Sequence, residues 1–306
     1  MTSASPPVSV YMPAYNAALF VRQAVESILA QTLGDFEFII IDDGSKDQTL
    51  PILKELEARD KRIRLISRPN AGVSATANQA IDLARGEFLV RMDSDDIAMP
   101  DRLEKLVGFL RANRDYVALG SRVLMIDDEG LPLGIMPDAV FGAENVDRAL
   151  MAGGWPLNQA AAAFRRDAVI AAGKYRENLS LHEDHDLFLR LGEIGKLDNL
   201  PEVLLKYRRH LSSITFRENA NSHAVVDDIL RQARQRRGLL EPPPSDKKSS
   251  PGVTQMDEVS RCRHWAWMSL KSRYVPTARK YAWAGLRAAP LSADSWKLMY
   301  CALRGR

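Results

Sequence analysis

The chain contains only two cysteines, Cys262 and Cys301, among its 306 residues, which is too few for a disulfide scaffold. It also lacks any uncharged apolar run of about 18 residues, the length that a membrane-spanning helix needs. The opening segment, MTSASPP, has neither a basic nor an apolar stretch, so no secretory signal is predicted. We therefore expect reduced thiols and a cytoplasmic location.

The net charge of +3 conceals an uneven distribution along the chain. Residues 241–306 contain 12 Lys and Arg against 5 Asp and Glu, a balance of +7, whereas residues 1–240 contain 30 against 34, a balance of −4. The main body is therefore a poor candidate for nucleic-acid binding. The basic segment favours a peripheral contact with anionic lipid at the inner face of the membrane. An ordinary solvated helix surface is the alternative.

The first 125 residues alternate between strand-like and helix-like patterns. Short apolar runs such as Val8–Met12 and 36–41 are followed by helical periodicities such as the one over Arg102–Ala112. This alternation predicts βαβ units and an α/β fold whose parallel sheet is buried on both faces. Residues 126–240 are less regular, and we assign residues 1–240 to one domain.

The C-terminal part is predicted to be a helical appendage. Residues 241–252 are rich in Pro, Ser and Lys and are interpreted as a linker. Residues 253–306 are then predicted to form a basic helical hairpin that resembles one tetratricopeptide-like unit. Its two apolar stripes at helical spacing are Ala278, Tyr281, Ala282 and Gly285, and Trp296, Met299, Tyr300 and Leu303. One such unit cannot bury its own apolar face, so we expect it to dock on the main domain or to form a homodimer.

Polar segments follow four of the predicted strands, at residues 13–16, 42–45, 70–72 and 93–96. Ligands of open α/β sheets bind at the carboxyl ends of the strands, so these segments are expected to converge there. A carboxylate in 42–45 can accept hydrogen bonds from a base or a ribose hydroxyl, although Asp-Gly is equally a turn signature. Segment 70–72 can bring its backbone close to a ligand, and a plain loop is the alternative.

The sequence Asp93-Ser94-Asp95-Asp96 is the strongest constellation of acidic residues. Alternate residues of an extended segment point the same way, so Asp93 and Asp95 share one direction. Two carboxylates at a strand end form a hard-oxygen site for Mg²⁺ or Mn²⁺, which substrate phosphates would complete. A capping turn is the alternative.

Taken together, six ordered motifs resemble those of the family 2 glycosyltransferases, which have the Rossmann-like nucleotide-diphospho-sugar transferase fold called GT-A. The motifs are Pro13–Asn16, residues 42–49, residues 70–78 with Gly86-Glu87, residues 93–96, residues 100–104, and Glu183-Asp184. The resemblance covers about residues 6–215 of the chain. It implies an inverting enzyme that moves a sugar from a nucleotide-diphospho-sugar to a hydroxyl of a glycan or lipid-linked acceptor. UDP is the favoured nucleotide of the donor, and cell-surface polysaccharide synthesis is the expected process.

The same resemblance implies roles for individual residues. Asp184 would be the catalytic base, with Glu183 and Asp186 as alternatives, and Asp93 and Asp95 would bind Mn²⁺ or Mg²⁺. The residues implied in donor binding are Pro13, Tyr15, Asn16, Asp43, Asn70, Asn78, Asp93 and Ser94. His210 is a further candidate metal ligand, and a surface basic cluster is its alternative. Trp155 and the pair Asn158-Gln159 are candidates for an acceptor surface, and a core tryptophan is the alternative.

Two other functional classes deserve comparison. A nucleotidyltransferase of related sheet topology would usually carry a Gly-rich loop with Lys or Arg after the first strand, but residues 13–16 are uncharged. A non-catalytic scaffold would not need Asp93, Asp95 and Asp184 together. For Glu183 and Asp184, the structural alternative is a helix N-terminus, where acidic residues are favoured by the helix dipole.

Overall fold

The strand and helix alternation predicted for the first 125 residues is present in the computed structural model, which describes residues 6–137, 139–179, 181–210, 222–240 and 257–305. The strands are β1 (Val8–Ala14), β2 (Glu37–Asp42), β3 (Ile63–Ser67), β4 (Phe88–Arg91), β5 (Ile97–Ala98) and β6 (Tyr116–Ile126). The helices between them are α1 (Val21–Leu29), α2 (Thr49–Arg59), α3 (Val73–Leu83) and α4 (Arg102–Ala112).

The remaining elements are further strands and helices. They are β7 (Pro132–Ile135), α5 (Ala143–Met151), β8 (Ala163–Arg165), α6 (Arg166–Ala171), α7 (Glu183–Leu191), β9 (Lys196–Arg208), α8 (Ser222–Arg236), α9 (Glu258–Lys271), α10 (Val275–Ala288) and α11 (Ala293–Arg304). None of the helices in the described ranges is long and apolar enough to cross a membrane.

One mixed sheet organises the strands, in the order β3-β2-β1-β4-β8-β6-β9-β5, with β7 paired to β6. Strands β3, β2, β1 and β4 are parallel, whereas β8 is antiparallel to both β4 and β6. Ile39, Ile40 and Ile41 of β2 are fully buried, because the strand lies between two neighbours and is covered on both faces. The carboxyl ends of the four parallel strands therefore meet at one edge of the sheet.

The described chain divides into two units. The first contains Met1–Val123, Asp138–Lys206 and Ala224–Glu241, and the second contains Leu124–Pro137, Tyr207–His223 and Pro242–Arg306. The linker predicted at 241–252 lies outside the described residues, so the proposed domain boundaries at 240 and 253 remain predictions.

The second unit has a core of its own, built from the C-terminal helices and the 124–137 segment. Leu133 of β7, Trp265 of α9 and Tyr281 of α10 belong to one buried cluster, in which the Trp265 and Tyr281 rings meet edge to face at 5.0 Å. Besides the predicted helix pair, the unit therefore contains a third helix, α9, and a strand.

The first predicted stripe is buried, whereas three of the four residues of the second are exposed in the single chain, so its docking surface remains a prediction. Trp296, Tyr300 and Leu303 are exposed, and only Met299 of that stripe is buried. Helix α11 instead buries Ser295, Leu298, Met299 and Ala302, a stripe shifted by one residue. Close packing on α10 explains the shift, because the Ser295 hydroxyl approaches the Gly285 carbonyl at 3.4 Å, where a large aromatic ring has no room.

Candidate active site

The loops that follow β1 and β2 are tied together by side-chain hydrogen bonds. Asn16 has a left-handed backbone (φ 48°); its amide donates to Ser45 Oγ at 3.0 Å, and its Oδ1 accepts from the Lys46 amide at 2.8 Å. Pro13 pairs in register with Ile41, so the two loops leave the sheet at the same level. Tyr15 is half exposed beside them. Pro13, Tyr15 and Asn16 therefore lie at the predicted crevice.

Asp43 lies directly after β2 and is 4% exposed. Its carboxylate accepts hydrogen bonds from Arg68 Nε at 3.1 Å and from the backbone amides of Ala71 at 3.0 Å and Gly72 at 2.9 Å. A carboxylate has about four lone-pair sites, so three donors leave room for one more. The Asp43 carboxylate is thus fixed in orientation and retains capacity for a single donor from a ligand.

The segment after β3 is held against the same carboxylate. The Asn70 side chain donates to the Asp43 carbonyl at 2.9 Å, and Gly72 begins α3 with φ 90°, which L side chains rarely adopt. Arg68 was not identified from the sequence. It also donates to Gln79 and Thr76 of α3, so it braces the start of this helix.

Asn78 has its amide engaged within the protein. It donates to the Tyr175 carbonyl and to Glu177 Oε1, and it accepts from the Tyr175 amide at 2.9 Å. The Tyr175 hydroxyl in turn bonds to the Tyr11 hydroxyl at 2.9 Å. Asn78 thus holds the 175–177 segment, and its direct contact with a donor remains a prediction.

Arg91 ends β4 and is 4% exposed, which is unusual for a charged residue. Its Nε donates to Asp93 Oδ1 at 2.7 Å, and its guanidinium carbon lies 5.7 Å from the centre of the Tyr11 ring. Burial disfavours the cation, but the interactions with Asp93, Tyr175 and Tyr11 together outweigh burial and raise the pKa of Arg91. Sequence reasoning missed Arg91. The signal for it was a charged residue at the end of a buried strand, two positions before an acidic motif.

A second arginine, Arg102 of α4, holds the backbone at the end of β4. It is fully buried, and its Nη2 donates to the carbonyls of Arg91 at 2.7 Å and Ala160 at 2.6 Å. Burial lowers the pKa of Arg102 to about 10, while the charges of Asp96 and Asp93 oppose that shift. The backbone that carries the acidic motif is therefore anchored by a buried cation.

Asp93, Ser94 and Asp95 are half-buried at the end of β4. Within the described ranges, no three His, Cys, Asp or Glu side chains form a ready-made metal site. Mg²⁺ and related ions are commonly held by one or two carboxylates together with substrate phosphates. Asp93 and Asp95 fit that second kind of site. His210 follows β9 in the second unit, and its role as a ligand remains a prediction.

Glu183 and Asp184 are the first two residues of α7. They directly follow His182, whose backbone is left-handed (φ 66°). Burial raises the pKa of Asp184, and the charge of Asp93 adds to this while Arg91 opposes it. Burial and the neighbouring Asp184 charge raise the pKa of Glu183 to about 7. The charges of Arg91 and Asp93 therefore act on both carboxylates of the pair.

Asp186, the other alternative for a base, has a structural role. It is 1% exposed and forms ion pairs with Arg190 at 2.6 Å and Arg176 at 3.2 Å. Both arginines hold this carboxylate inside the protein, where an acceptor hydroxyl has no access to it. The structure therefore favours Glu183 and Asp184 over Asp186.

The chain is similar to known proteins in both its sequence and its fold. Residues 9–169 match the model of the family described as Glycosyl transferase family 2. The chain belongs to this family. EpsE of Bacillus subtilis, which carries a provisional glycosyltransferase name, is 34% identical over 234 residues, and the match covers 74% of this chain and 81% of EpsE.

Chondroitin synthase of Escherichia coli is 29% identical over 272 residues, and the match covers 87% of this chain but only 37% of the synthase. The chain thus spans little more than a third of that relative. Among solved structures, S. aureus TarS 1-349 in complex with UDP-GlcNAc has a TM-score of 0.57 at 16% identity, covering 98% of this chain and 92% of TarS 1-349. Mannosyltransferase PcManGT from Pyrobaculum calidifontis, in complex with GDP-Man and Mn²⁺, has a TM-score of 0.54 at 19% identity, covering 99% and 81%.

These comparisons confirm the predicted family and the α/β fold class. The chain has the GT-A fold, with helices at its C-terminal end. The predicted glycosyltransferase class is confirmed with them, whereas the roles of single residues are argued from the geometry above.

Proposed function

We propose that this chain is a metal-dependent inverting glycosyltransferase that moves a sugar from a nucleotide-diphospho-sugar to a hydroxyl of a glycan or lipid-linked acceptor. The observation that supports the proposal is that the loops after β1 and β2 and the acidic residues after β2 and β4 lie at one edge of the parallel strands. Asp43 follows β2, Asp93 follows β4, and the charges of Arg91 and Asp93 act on Asp184.

The donor is proposed to lie across the loops after β1 and β2. Asp43 can accept one hydrogen bond from a base or ribose, since its other contacts fix its direction. The exposed Tyr15 ring and Pro13 would line the base, with Asn16 and Asn70 holding the surrounding loops. TarS and PcManGT have the same fold and were solved with UDP-GlcNAc and GDP-Man. The proposed donor is therefore a nucleotide-sugar of this class, with UDP as the favoured nucleotide.

Asp93 and Asp95 would hold a divalent ion, Mn²⁺ or Mg²⁺, at the donor diphosphate, with Ser94 between them. When bound, such an ion neutralises the charge that develops on the departing diphosphate. Arg91 orients Asp93 through its 2.7 Å bond, and the buried Arg102 holds the backbone beneath. The PcManGT structure contains Mn²⁺, which supports metal use in this fold.

Asp184 would act as the base. Its carboxylate takes the proton of the acceptor hydroxyl, whose oxygen attacks the anomeric carbon while the bond from that carbon to the diphosphate breaks. A single displacement of this kind inverts the anomeric configuration. The raised pKa of Asp184 suits a base that works near neutral pH, since a carboxylate at its ordinary pKa is a weaker proton acceptor.

The acceptor is proposed to be a growing glycan or its lipid-linked precursor in polysaccharide synthesis. Relatives of the chain include chondroitin synthase, hyaluronan synthase and an amylovoran biosynthesis glycosyltransferase, whose names refer to polysaccharides. We further propose that the enzyme is cytoplasmic and contacts the membrane peripherally through the exposed face of its C-terminal helices. Homodimer formation through the same face is the alternative. The nucleotidyltransferase and scaffold alternatives have no observation in their favour.

A donor screen tests the proposal. UDP-, GDP- and dTDP-sugars would be added to the protein with and without Mn²⁺, and thermal unfolding would be recorded. One nucleotide class should raise the unfolding temperature, and more so with Mn²⁺. NMR of the product's anomeric proton would then show inversion. Stabilisation by none of these donors, or a product with retained configuration, would contradict the proposal.

A further inference from the structure

Trp155 is a large aromatic side chain left partly open beside the proposed base. It is 40% exposed, which rules out the core tryptophan considered from the sequence. Its ring centre lies 5.1 Å from that of His182 and 4.8 Å from that of His185. His185 is fully buried, with Nε2 3.1 Å from the Leu150 carbonyl oxygen. The indole is thus backed by two imidazoles, one of them fixed in the core.

The backbone around Trp155 is fixed as well. The Gly153 amide donates to the Leu150 carbonyl and the Gly154 amide to the Ala149 carbonyl, both at 2.9 Å. On the other side, Asn199 Nδ2 donates to the Pro156 carbonyl at 2.8 Å. Because neighbouring hydrogen bonds hold both flanks, the ring is presented with little freedom to lose on binding a ligand.

The position of the ring relates it to the chemistry. His182 and His185 flank Glu183 and Asp184 in the sequence, at the first turn of α7. The indole therefore contacts the two residues that flank Glu183 and Asp184 in the sequence. A molecule that rests on the exposed indole lies beside the helical turn that carries the proposed base.

We propose that Trp155 is the acceptor-sugar subsite, on which a pyranose ring of the acceptor stacks so that its reacting hydroxyl faces Asp184. This inference rests on the proposed function. One face of a pyranose carries C–H groups and matches the large apolar surface of an indole, while its hydroxyls stay free to bond polar neighbours.

The surroundings favour a sugar over a lipid chain as the occupant. A lipid chain needs a continuous apolar groove, but the residues next to Trp155 include polar ones. Asn158 and Gln159 follow it by three and four residues in the sequence and are half-buried. His182, which contacts the ring, and the adjacent Glu183 are half-buried as well. An aromatic surface with polar side chains beside it is suited to a ring that is apolar on one face and hydroxylated at its rim.

The test uses the full chain and simple acceptors. The probes are the methyl β-glycosides of glucose, galactose, N-acetylglucosamine, N-acetylgalactosamine and glucuronic acid. Release of nucleoside diphosphate is measured with the nucleotide-sugar that the donor screen identifies. Trp155→Phe, Trp155→Leu and Trp155→Ala are compared with wild type, and Trp283→Ala, which removes another exposed tryptophan, is the matched control.

The expected result is a selective loss of acceptor binding. At least one glycoside should accelerate donor turnover by wild type, and its KM should rise about 10-fold or more in Trp155→Ala and Trp155→Leu, as loss of aromatic stacking predicts. Trp155→Phe should stay within about threefold of wild type, because a flat ring remains. The KM for the donor should not change in any of these variants, and Trp283→Ala should behave as wild type.

Three results would overturn the subsite. They are a Trp155→Leu variant with the wild-type acceptor KM, an equal rise of donor and acceptor KM in Trp155→Ala, and a wild type that turns over donor but accepts none of the glycosides. The first would show that the indole ring does not stack on the acceptor sugar, and the second would point to general damage at the start of α7. A wild type that releases no nucleoside diphosphate from any donor would instead contradict the proposed function.

Discussion

The charges at the proposed site combine buried arginines with half-buried carboxylates. Arg91 and Arg102 are buried at the end of β4, and the carboxylates are those of Asp93 and Asp184. The carboxylates were predictable from the sequence, because their spacing after strands is local. The arginines were not, since their use depends on how β4, α4 and residue 160 pack together.

At the same scale, removing the proposed base should affect catalysis and not donor binding. Asp184→Asn is expected to lower kcat by roughly 10²–10⁴-fold, the usual effect of losing a general base, and to leave donor affinity nearly intact. Steady-state kinetics with the identified donor would measure both. A loss confined to KM would mark Asp184 as a binding or capping residue.

Glu183 predicts a dependence of stability on pH. Its ordinary pKa of 4.5 is raised to about 7 in the fold, so the unfolded chain releases this proton first. Stability is therefore lost as pH rises from about 4.5 to about 7. Glu183→Gln should remove this loss and be more stable than wild type at pH 8 by roughly 1–3 kcal/mol, with little difference at pH 4. Urea unfolding of both proteins in chelator at pH 4 and pH 8 measures the free energies of unfolding. The same difference between variant and wild type at both pH values would refute the prediction.

At the scale of elements, the repeating part of the fold was predictable and the packing of the tail was not. Strands β1–β4 and helices α1–α4 have long, consistent patterns, because each strand is buried on both faces. Helix α11 offers two overlapping apolar patterns. The one with the larger side chains is exposed, and the helix instead turns Ser295 toward the Gly285 carbonyl of α10. That choice depends on the partner helix.

Asp127 joins the 124–131 turn to α10 and should determine the stability of the second unit. It is fully buried and accepts from Lys280 Nζ at 2.8 Å and the Tyr281 hydroxyl at 2.7 Å. Burial opposes ionisation, but these donors outweigh it and hold the pKa of Asp127 below its usual value. Asp127→Asn should destabilise the unit by about 1–3 kcal/mol. The exposed Asp128→Asn is the control; equal urea midpoints for the two variants would contradict the prediction.

At the scale of the whole molecule, the C-terminal helices combine positive charge with exposed aromatic groups. Residues 257–305 carry nine Lys and Arg against three Asp and Glu, a balance of +6. Trp283 and Leu303 are 56% and 60% exposed on α10 and α11. Cations with interfacial aromatic residues are typical of surfaces that bind anionic lipid.

Flotation with vesicles tests this reading of the tail. The full chain should bind phosphatidylserine vesicles at 0.1 M salt and be released near 1 M, where the Debye length falls from about 10 Å to about 3 Å. Vesicles of phosphatidylcholine alone should bind less. Combining Trp283→Ser with Leu303→Ser should weaken binding further. Equal flotation of variant and wild type, or binding that ignores salt, would show that this surface has another use, such as a homodimer contact.

The central claim is that the acidic motif after β4 serves metal-assisted transfer from a nucleotide-sugar. Its most direct test is the rate at which wild type and Asp95→Asn release nucleoside diphosphate from the identified donor as Mn²⁺ is titrated, with Asp101→Asn of the exposed pair Asp101–Lys105 as control. Wild type and the control should show Mn²⁺-dependent release that chelator abolishes, and Asp95→Asn should show neither release nor Mn²⁺ dependence. Wild-type activity of Asp95→Asn in excess chelator would contradict the claim.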